Sequence, residues 1–225
     1  MKTADGPLSG RPVSDLDLKD GKIVAKDGAS QDMKDFFKKT GFGAFEEYAE
    51  FVPDGAPPSA VQSLYAGRST LVGGSKSKKL MYAFGAEFVE VKINARTREI
   101  RVPRMVGAFA GGRIMNTRTA RSQIMGGMIW GMSSALFEET QVDERNARYV
   151  NREFQDYLVP VNADAIDVEV ILVPEIDNEV NPAGVKGLGE LGNVGTNAAI
   201  ANAIFHATGK RVRHIPIRME DLLDS

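Results

Sequence analysis

The chain has no cysteine, and only two histidines and one tryptophan occur among its 225 residues. Without a thiol, these residues form no disulfide, no cysteine nucleophile and no cysteine-bound zinc or iron–sulfur cluster. The two histidines, His206 and His214, lack the i, i+4 spacing of a helical zinc site. We therefore predict no metal ligand within the chain.

An excess of charge and long apolar runs are also missing. Lys and Arg total 28 against 30 Asp and Glu, a formal net charge of −2, so no global field attracts nucleic acid or an anionic membrane. No stretch approaches the length that spans a bilayer, and no signal peptide is recognisable. We expect no nucleic-acid partner, no membrane association, and a cytoplasmic location, or a periplasmic one if a partner's signal exports the chain.

Hydrophobic patterning predicts the main elements. Alternating and β-branched residues predict strands over 84–93 and 100–109. A helix over 119–139 carries apolar residues on several sides, and we expect it to be buried all round. An alanine-rich helix is predicted over 196–207 and a last short strand over 211–217.

These elements mix without a strict β–α–β alternation. The pattern predicts an α+β fold with a mixed, largely antiparallel sheet and packed helices. Residues 1–79 are expected to form an irregular N-terminal segment with a short hairpin and helices, and residues 80–225 a separate domain portion.

The segment 181–195, N-P-A-G-V-K-G-L-G-E-L-G-N-V-G, places one carboxylate, Glu190, among five glycines. Glycine lets a backbone come close to a bulky ligand, and the helix behind the loop directs unpaired N–H groups toward it. An acid here is either held ionised by those donors or kept partly protonated by burial. Glu190 is therefore a candidate for proton transfer, the alternative being an acid that caps the following helix.

Residues 187–192 also spell G-x-G-x-x-G, the pattern of dinucleotide-binding folds. The pattern has that meaning after a β-strand and with an acid about 20 residues further on. Here a turn-like segment precedes it, and Lys210, Arg211 and Arg213 stand where the acid belongs. This argues against a nicotinamide or flavin dinucleotide module, which remains an alternative.

Three blocks together resemble the C-terminal part of the molybdenum-cofactor subunit of the xanthine dehydrogenase/aldehyde oxidoreductase family. They are G-A-E-F-V-E-V-K-I-N with G-G-R-I-M-N, then S-Q-I-M-G-G-M-I-W-G-M-S-S-A-L-F-E-E, and the glycine loop with its helix, ending in H-A-T-G-K-R-V-R-H-I-P-I. They cover about residues 80–223. The wording around R-I-M-N-T-R-T-A-R-S-Q is most similar to bacterial aldehyde oxidoreductases that use molybdopterin cytosine dinucleotide.

The resemblance implies roles for individual residues. Glu190 matches the family's catalytic carboxylate, which acts as a base, and Gln123 matches a glutamine that hydrogen-bonds the pterin. The other matches to cofactor-contacting positions are Arg113, Ile114, Met115, Asn116, Thr117, Arg118, Thr119, Lys186, Gly187, Leu188 and Gly189. Structural alternatives are an ordinary first-turn residue for Gln123 and surface charges for Arg113 and Arg118.

The implied function is to supply the catalytic glutamate and part of the cofactor pocket of a molybdenum hydroxylase, which oxidises aldehydes to carboxylic acids with water as the oxygen source. The implied cofactor is molybdenum-molybdopterin in its cytosine dinucleotide form, with 2Fe-2S clusters and FAD on partner chains, an iron–sulfur subunit and an FAD subunit. Purine or other N-heterocyclic substrates, or a non-catalytic scaffold, are the alternatives.

The upstream half of the family's subunit is not matched. Its G-G-x-F-G element and R-x-P-G stretch do not occur here, and Asn116-Thr117 stands where the family more usually has Asn-Pro. We expect the remaining half of the molybdenum subunit as a partner, the chain being a fragment or one polypeptide of a split subunit. Residues 80–225 are then the C-terminal portion of the cofactor-binding domain.

Overall fold

The computed structural model describes residues 6–40, 46, 48, 50–52, 56–57, 59–68 and 81–223. The chain forms two compact units, Met1–Glu50 and Phe51–Ser225. The boundary predicted between residues 79 and 80 lies outside the described residues, so that division stays a prediction.

The first unit is built on a three-stranded antiparallel sheet. Its elements are β1 (Leu16–Lys19), β2 (Lys22–Ala25), β3 (Ser30–Asp32) and helix α1 (Met33–Thr40). The first turn places Asp20 and Gly21 in left-handed backbone, with φ of 49° and 72°, a conformation that the Asp-Gly pair adopts at low cost. The short hairpin predicted for the N-terminal segment is confirmed.

The second unit combines a three-stranded sheet with two main helices. Its elements are α2 (Ala60–Tyr65), β4 (Phe84–Ile93), β5 (Ile100–Ala110), α3 (Thr117–Leu136), β6 (Val142–Asp143), β7 (Arg148–Tyr149), β8 (Val168–Leu172) and α4 (Thr196–Thr208). Strand β5 is central, antiparallel to β4 and parallel to β8, while β6 and β7 form a separate hairpin. The predicted α+β fold with a mixed sheet is confirmed.

The core of this unit lies between the sheet and the facing sides of α3 and α4. Its central side chains, each at most 1 % exposed, are Met105, Phe109, Ile124, Met128, Ile200 and Ile204. The opposite side of α3 is open, with Met125 and Trp130 exposed by 38 % and 47 %. The prediction that this helix is buried all round is therefore wrong, because the sheet, α4 and the segment before α4 leave that side uncovered. Among the described residues, the helices do not combine the length and the apolar character that a bilayer-spanning helix needs.

Glycines allow the segment before α4 to lie directly against α3. A Cβ on Gly127 would lie 3.2 Å from the backbone of Gly192 and Asn193, and one on Gly131 would lie 2.5 Å from the Cβ of Thr196. Conversely, a Cβ on Gly192 would lie 2.3 Å from a carbonyl oxygen of α3. This close backbone contact fixes the position of the segment that follows Glu190.

The strand predicted over 211–217 does not form. The segment is irregular, and the amide of Ile217 donates to the carbonyl oxygen of Ala135 at 2.7 Å. Its backbone thus pairs with the last turn of α3 instead of a strand, and a 3₁₀ turn at Glu220–Leu222 follows. The strand prediction is wrong because β-branched composition does not specify a partner.

Candidate functional site

Glu190 lies in the glycine loop with an exposed side chain. The chain continues into a 3₁₀ turn at Leu191–Asn193, where the Glu190 carbonyl oxygen accepts the Asn193 amide at 3.0 Å. Its carboxylate makes no hydrogen bond or ion pair with any residue that the structure describes. Neither expected environment, burial or capture by the donors of the following helix, is present in this structure.

The N-terminus of α4 is bound by a different acid, Glu87 of β4. The Gly195 amide donates to Glu87 Oε1 at 3.1 Å, and Glu87 Oε2 is hydrogen-bonded to the Thr196 hydroxyl. Burial raises the pKa of Glu87 above its ordinary value, although the bonds to Thr196 and Gly195 act in the opposite direction. The alternative in which Glu190 caps the following helix is therefore wrong.

Sequence reasoning missed Glu87. The one signal for it was an acid at an inward-facing position of an alternating strand, in register with Gly107 at the centre of the sheet. Its partners lie more than a hundred positions further along the chain, at separations of 108 and 109 residues. No local pattern joins groups so far apart.

Gln123, near the start of α3, holds the loop beside Glu190. Its Nε2 donates to the Gly189 carbonyl oxygen at 2.6 Å. A Cβ on Gly187 or on Gly189 would meet nothing within 4 Å, so the backbone there borders open space. A bare backbone of this kind lets a flat ligand approach closely. The structure thus brings Gln123 and Glu190 to the same open stretch of loop.

Lys186 and Leu188 anchor the start of that stretch. Lys186 Nζ lies 2.7 Å from Glu175 Oε1 and 3.0 Å from Asp177 Oδ2, with 6 % of its side chain exposed. Hydrogen bonds from these carboxylates raise the pKa of Lys186, and Lys186 in turn lowers the pKa of Glu175. Leu188 packs against the apolar core. The Lys186 ammonium is therefore engaged within the chain.

Asn116 starts α3. Its Oδ1 accepts the amides of Arg118 and Thr119 at 3.0 and 3.2 Å, and the Thr119 hydroxyl donates to the Asn116 carbonyl oxygen at 3.3 Å. This is a complete N-cap, which binds two of the four amides that a helix start leaves without partners. Met115, just before it, is 73 % exposed.

A cleft of about 380 Å³ opens beside this helix start. Arg113, Ile114 and Thr117 line one side of it, and residues 172–176 line the other. Neither Arg113 nor Arg118 forms an ion pair with another residue of the described part of the chain. Arg113 thus lines the cleft without an ion-pair partner, and Arg118 belongs to the first turn of α3, near the positive end of the helix dipole.

Backbone contacts join the cleft to the glycine loop. Gly112 and Val185 form an antiparallel bridge, and the Arg113 amide donates to the Gly184 carbonyl oxygen at 2.7 Å. Glu175 also accepts the Gly112 amide at 2.7 Å. The residues predicted from the sequence therefore lie on two connected segments rather than on separate parts of the unit.

The sequence model of the molybdopterin cofactor-binding domain family matches residues 1–166. The chain belongs to this family. The match confirms the resemblance drawn from the sequence, and it includes the first unit, which the three resembling blocks did not reach.

Two curated relatives illustrate the range of this family. The chain is 47 % identical to the aldehyde oxidoreductase molybdenum-binding subunit PaoC of Escherichia coli K12 over 152 residues, 67 % of this chain and 21 % of PaoC. It is 29 % identical to a probable xanthine dehydrogenase subunit of Bacillus subtilis 168 over 155 residues, 69 % of this chain and 20 % of that protein. The chain thus spans about a fifth of the length of these relatives.

A solved structure shares the fold. The crystal structure of quinoline 2-oxidoreductase from Pseudomonas putida 86 matches 93 % of this chain and 25 % of that chain, with a TM-score of 0.66 and 21 % identity. At this identity the likeness concerns the fold alone, and it agrees with the α+β architecture described above.

Proposed function

We propose that the chain supplies the catalytic glutamate, Glu190, and part of the cofactor pocket of a molybdenum-dependent oxidoreductase. The observation that carries the proposal is the unpaired, exposed carboxylate of Glu190 on a loop whose flanks are tightly held. Nothing in the fold of the described residues uses this carboxylate, because Glu87 already binds the helix start behind it. An acid left free between two fixed segments is suited to proton transfer with a bound ligand.

The described residues fit a large cofactor with a flat ring system and phosphate groups. The open backbone at Gly187 and Gly189 leaves room for a ring, and Gln123 places a side-chain amide beside it. Arg113 lines a cleft beside the start of α3, and Arg118 adds a second arginine in the first turn of that helix, an arrangement that suits phosphate. We therefore propose that the loop faces the molybdopterin ring system and that residues 113–119 face the dinucleotide end, in the cytosine form.

When bound, the molybdenum cofactor supplies the two-electron oxidation of the substrate. The part of Glu190 is that of a general base: a carboxylate oxygen accepts the proton of the hydroxyl that becomes the new substrate oxygen. Gln123 fixes the peptide before Glu190 through its bond to the Gly189 carbonyl oxygen. The packed segment after Glu190 keeps the other side of the base in place, which preserves orientation during the transfer.

We propose an aldehyde as the substrate class, oxidised to a carboxylic acid with water as the oxygen source. The support is the 47 % identity to PaoC, which is named as an aldehyde oxidoreductase subunit. A purine or another N-heterocycle is the second candidate, favoured by the similarity to a probable xanthine dehydrogenase subunit. Since the chain spans about a fifth of these relatives, we propose that the remaining molybdenum-subunit portion, an iron–sulfur subunit and an FAD subunit complete the enzyme.

Co-expression of the chain with the products of its neighbouring genes tests this function. The purified complex is assayed for molybdenum and for aldehyde-dependent and xanthine-dependent dye reduction, with Glu190→Gln compared against Glu144→Gln, an exposed glutamate of the β6–β7 hairpin. We expect molybdenum in all three proteins and a loss of turnover of roughly 10²–10⁴-fold in Glu190→Gln alone. A wild-type complex without molybdenum would overturn the cofactor assignment, and full turnover in Glu190→Gln would overturn the base.

A further inference from the structure

We propose that Glu87 is a positioning residue for Glu190, holding the segment that carries it through the first residues of α4. This inference rests on the proposed role of Glu190 for its catalytic meaning. The contact itself lies within this chain and involves no partner or cofactor. It links the central sheet to the glycine loop across 108 residues of sequence.

Three hydrogen bonds lead from Glu87 toward Glu190. Glu87 binds the Gly195 amide and the Thr196 hydroxyl, and the Thr196 oxygen also lies 2.9 Å from the Gly192 carbonyl oxygen. Gly192 is two residues from Glu190 and belongs to the 3₁₀ turn that starts there. Glu87 is therefore connected to the glycine loop by a short series of hydrogen bonds through Thr196.

Thr196 is the centre of this network and is tightly packed. It is 0 % exposed, and its Cβ lies against Gly131 so closely that a side chain at residue 131 would collide with it. A buried hydroxyl that loses a partner is destabilising, because its lost hydration is no longer compensated. The network is thus a rigid connection, and removal of Glu87 leaves both Thr196 and the Gly195 amide short of a partner.

A count of hydrogens indicates the protonation state in which the network is complete. Thr196 has one hydroxyl hydrogen, yet the Glu87 carboxyl and the Gly192 carbonyl oxygen both lie within hydrogen-bonding distance of its oxygen. When Glu87 carries a proton, it donates to Thr196, and Thr196 donates to Gly192. Every group then has a partner, and burial of Glu87 favours the same protonated form.

The elements around Glu87 offer few charges that oppose this state. Strand β5 presents Gly107 opposite it. The one ionisable residue of α4 is His206, ten positions from the helix start, or about 15 Å along the helix. Arg121 of α3 is hydrogen-bonded to a carbonyl oxygen of β8, and Glu190 itself is exposed. Protonation of Glu87 is therefore governed by burial and by its hydrogen bonds.

Two variants separate the contact from the charge. Glu87→Gln keeps one acceptor for Gly195 and one donor for Thr196, and it stays neutral at every pH. Glu87→Ala removes both contacts. The matched control is Glu90→Gln, because Glu90 is an exposed glutamate on the other face of the same strand.

Amide hydrogen exchange of residues 188–198 in the full chain, between pH 4 and 8 and corrected for the intrinsic rate, is the measurement. We expect exchange about tenfold or more faster in Glu87→Ala than in wild type, and wild-type rates in Glu90→Gln. In wild type the corrected rate should rise as pH passes the Glu87 pKa, whereas Glu87→Gln should remain protected throughout.

Unchanged exchange in Glu87→Ala would overturn the positioning role. If that variant does not fold, the Glu87→Gln comparison still decides, since the same pH dependence in Glu87→Gln and wild type would overturn the protonated network. In the assembled enzyme we expect Glu87→Ala to lower kcat while KM changes little. Glu87→Gln should restore kcat toward the wild-type value. Amide exchange needs no cofactor. Wild-type turnover in Glu190→Gln would therefore refute Glu190 as the base without affecting the exchange result for Glu87.

Discussion

The glycine loop is held firmly at both ends and lightly in its middle. At its start, Lys186 is enclosed by two carboxylates, and at its end, Gly192 packs against the backbone of α3. Between them, Gly187 and Gly189 border open space, and one hydrogen bond from Gln123 holds the backbone. The difference indicates that the ends serve the fold, whereas the middle, which carries Glu190, is available to a ligand.

The packed end of the loop should show the largest effect on stability. In Gly192→Ala, the new Cβ would lie 2.3 Å from the Ile124 carbonyl oxygen, and we expect unfolding to become easier by about 1–3 kcal/mol or more. Gly189→Ala is the matched control, with nothing within 4 Å of its Cβ, and should change stability by less than about 0.5 kcal/mol. Urea unfolding midpoints measure both, and equal midpoints would contradict the contrast between end and middle.

The start of the loop, where Lys186 binds two carboxylates, should show the second largest effect on stability. Lys186→Met leaves Glu175 and Asp177 without their cation, and we expect a lower thermal midpoint at neutral pH. Because Lys186 lowers the pKa of Glu175, that part of the stabilisation is present above the ordinary glutamate pKa of about 4.3 and is lost as pH falls below it. The difference between wild type and variant should therefore shrink in acid. A difference that does not depend on pH would contradict the ion-pair account.

Glu87 should give a smaller effect of opposite pH dependence. Its pKa is raised by burial, so its contribution to stability is complete below the ordinary glutamate pKa of about 4.3 and is lost as pH rises through its pKa in the folded chain. Thermal midpoints of Glu87→Gln relative to wild type should therefore become more favourable as pH increases. A constant offset across this range would contradict a buried, titrating Glu87.

The middle of the loop should show the smallest effect on stability. Gln123→Ala removes the bond to the Gly189 carbonyl oxygen, a contact typically worth about 0.5–1.5 kcal/mol, here on an exposed stretch of backbone. We expect little change in the urea midpoint but faster amide exchange over residues 187–191. A midpoint shift as large as that of Gly192→Ala would show that the middle also serves the fold.

Much of the second unit could be predicted because its signals are local. The alternation over β4 gave its bounds, Phe84–Ile93, and the start of α4 at Thr196 follows from the end of the glycine run. The exposure of Trp130 could not be predicted, since an apolar residue on a helix does not show whether another element packs against that side. The role of Glu87 could not be predicted either, because its hydrogen-bond partners are distant in sequence.

Some features of the candidate site could also be predicted from local sequence, and others could not. The loop glycines could be predicted from residue type and spacing, whereas Asn116 caps a helix that begins at Thr117, two residues before the predicted start. The environment of Glu190 could not be predicted, because the helix donors that were expected to bind it are bound by Glu87 instead. The ion pairs of Lys186 could not be predicted either. Glu175 and Asp177 lie in an acidic segment whose sequence does not indicate which cation they bind.

The central proposal is that Glu190 is a free base on a loop whose two ends are held by the fold. Turnover per bound molybdenum in the assembled complex, compared between wild type and Glu190→Gln, tests it most directly. The account predicts equal molybdenum content and a turnover per molybdenum lower by roughly 10²–10⁴-fold in the variant. Equal turnover per molybdenum in the two proteins would contradict it.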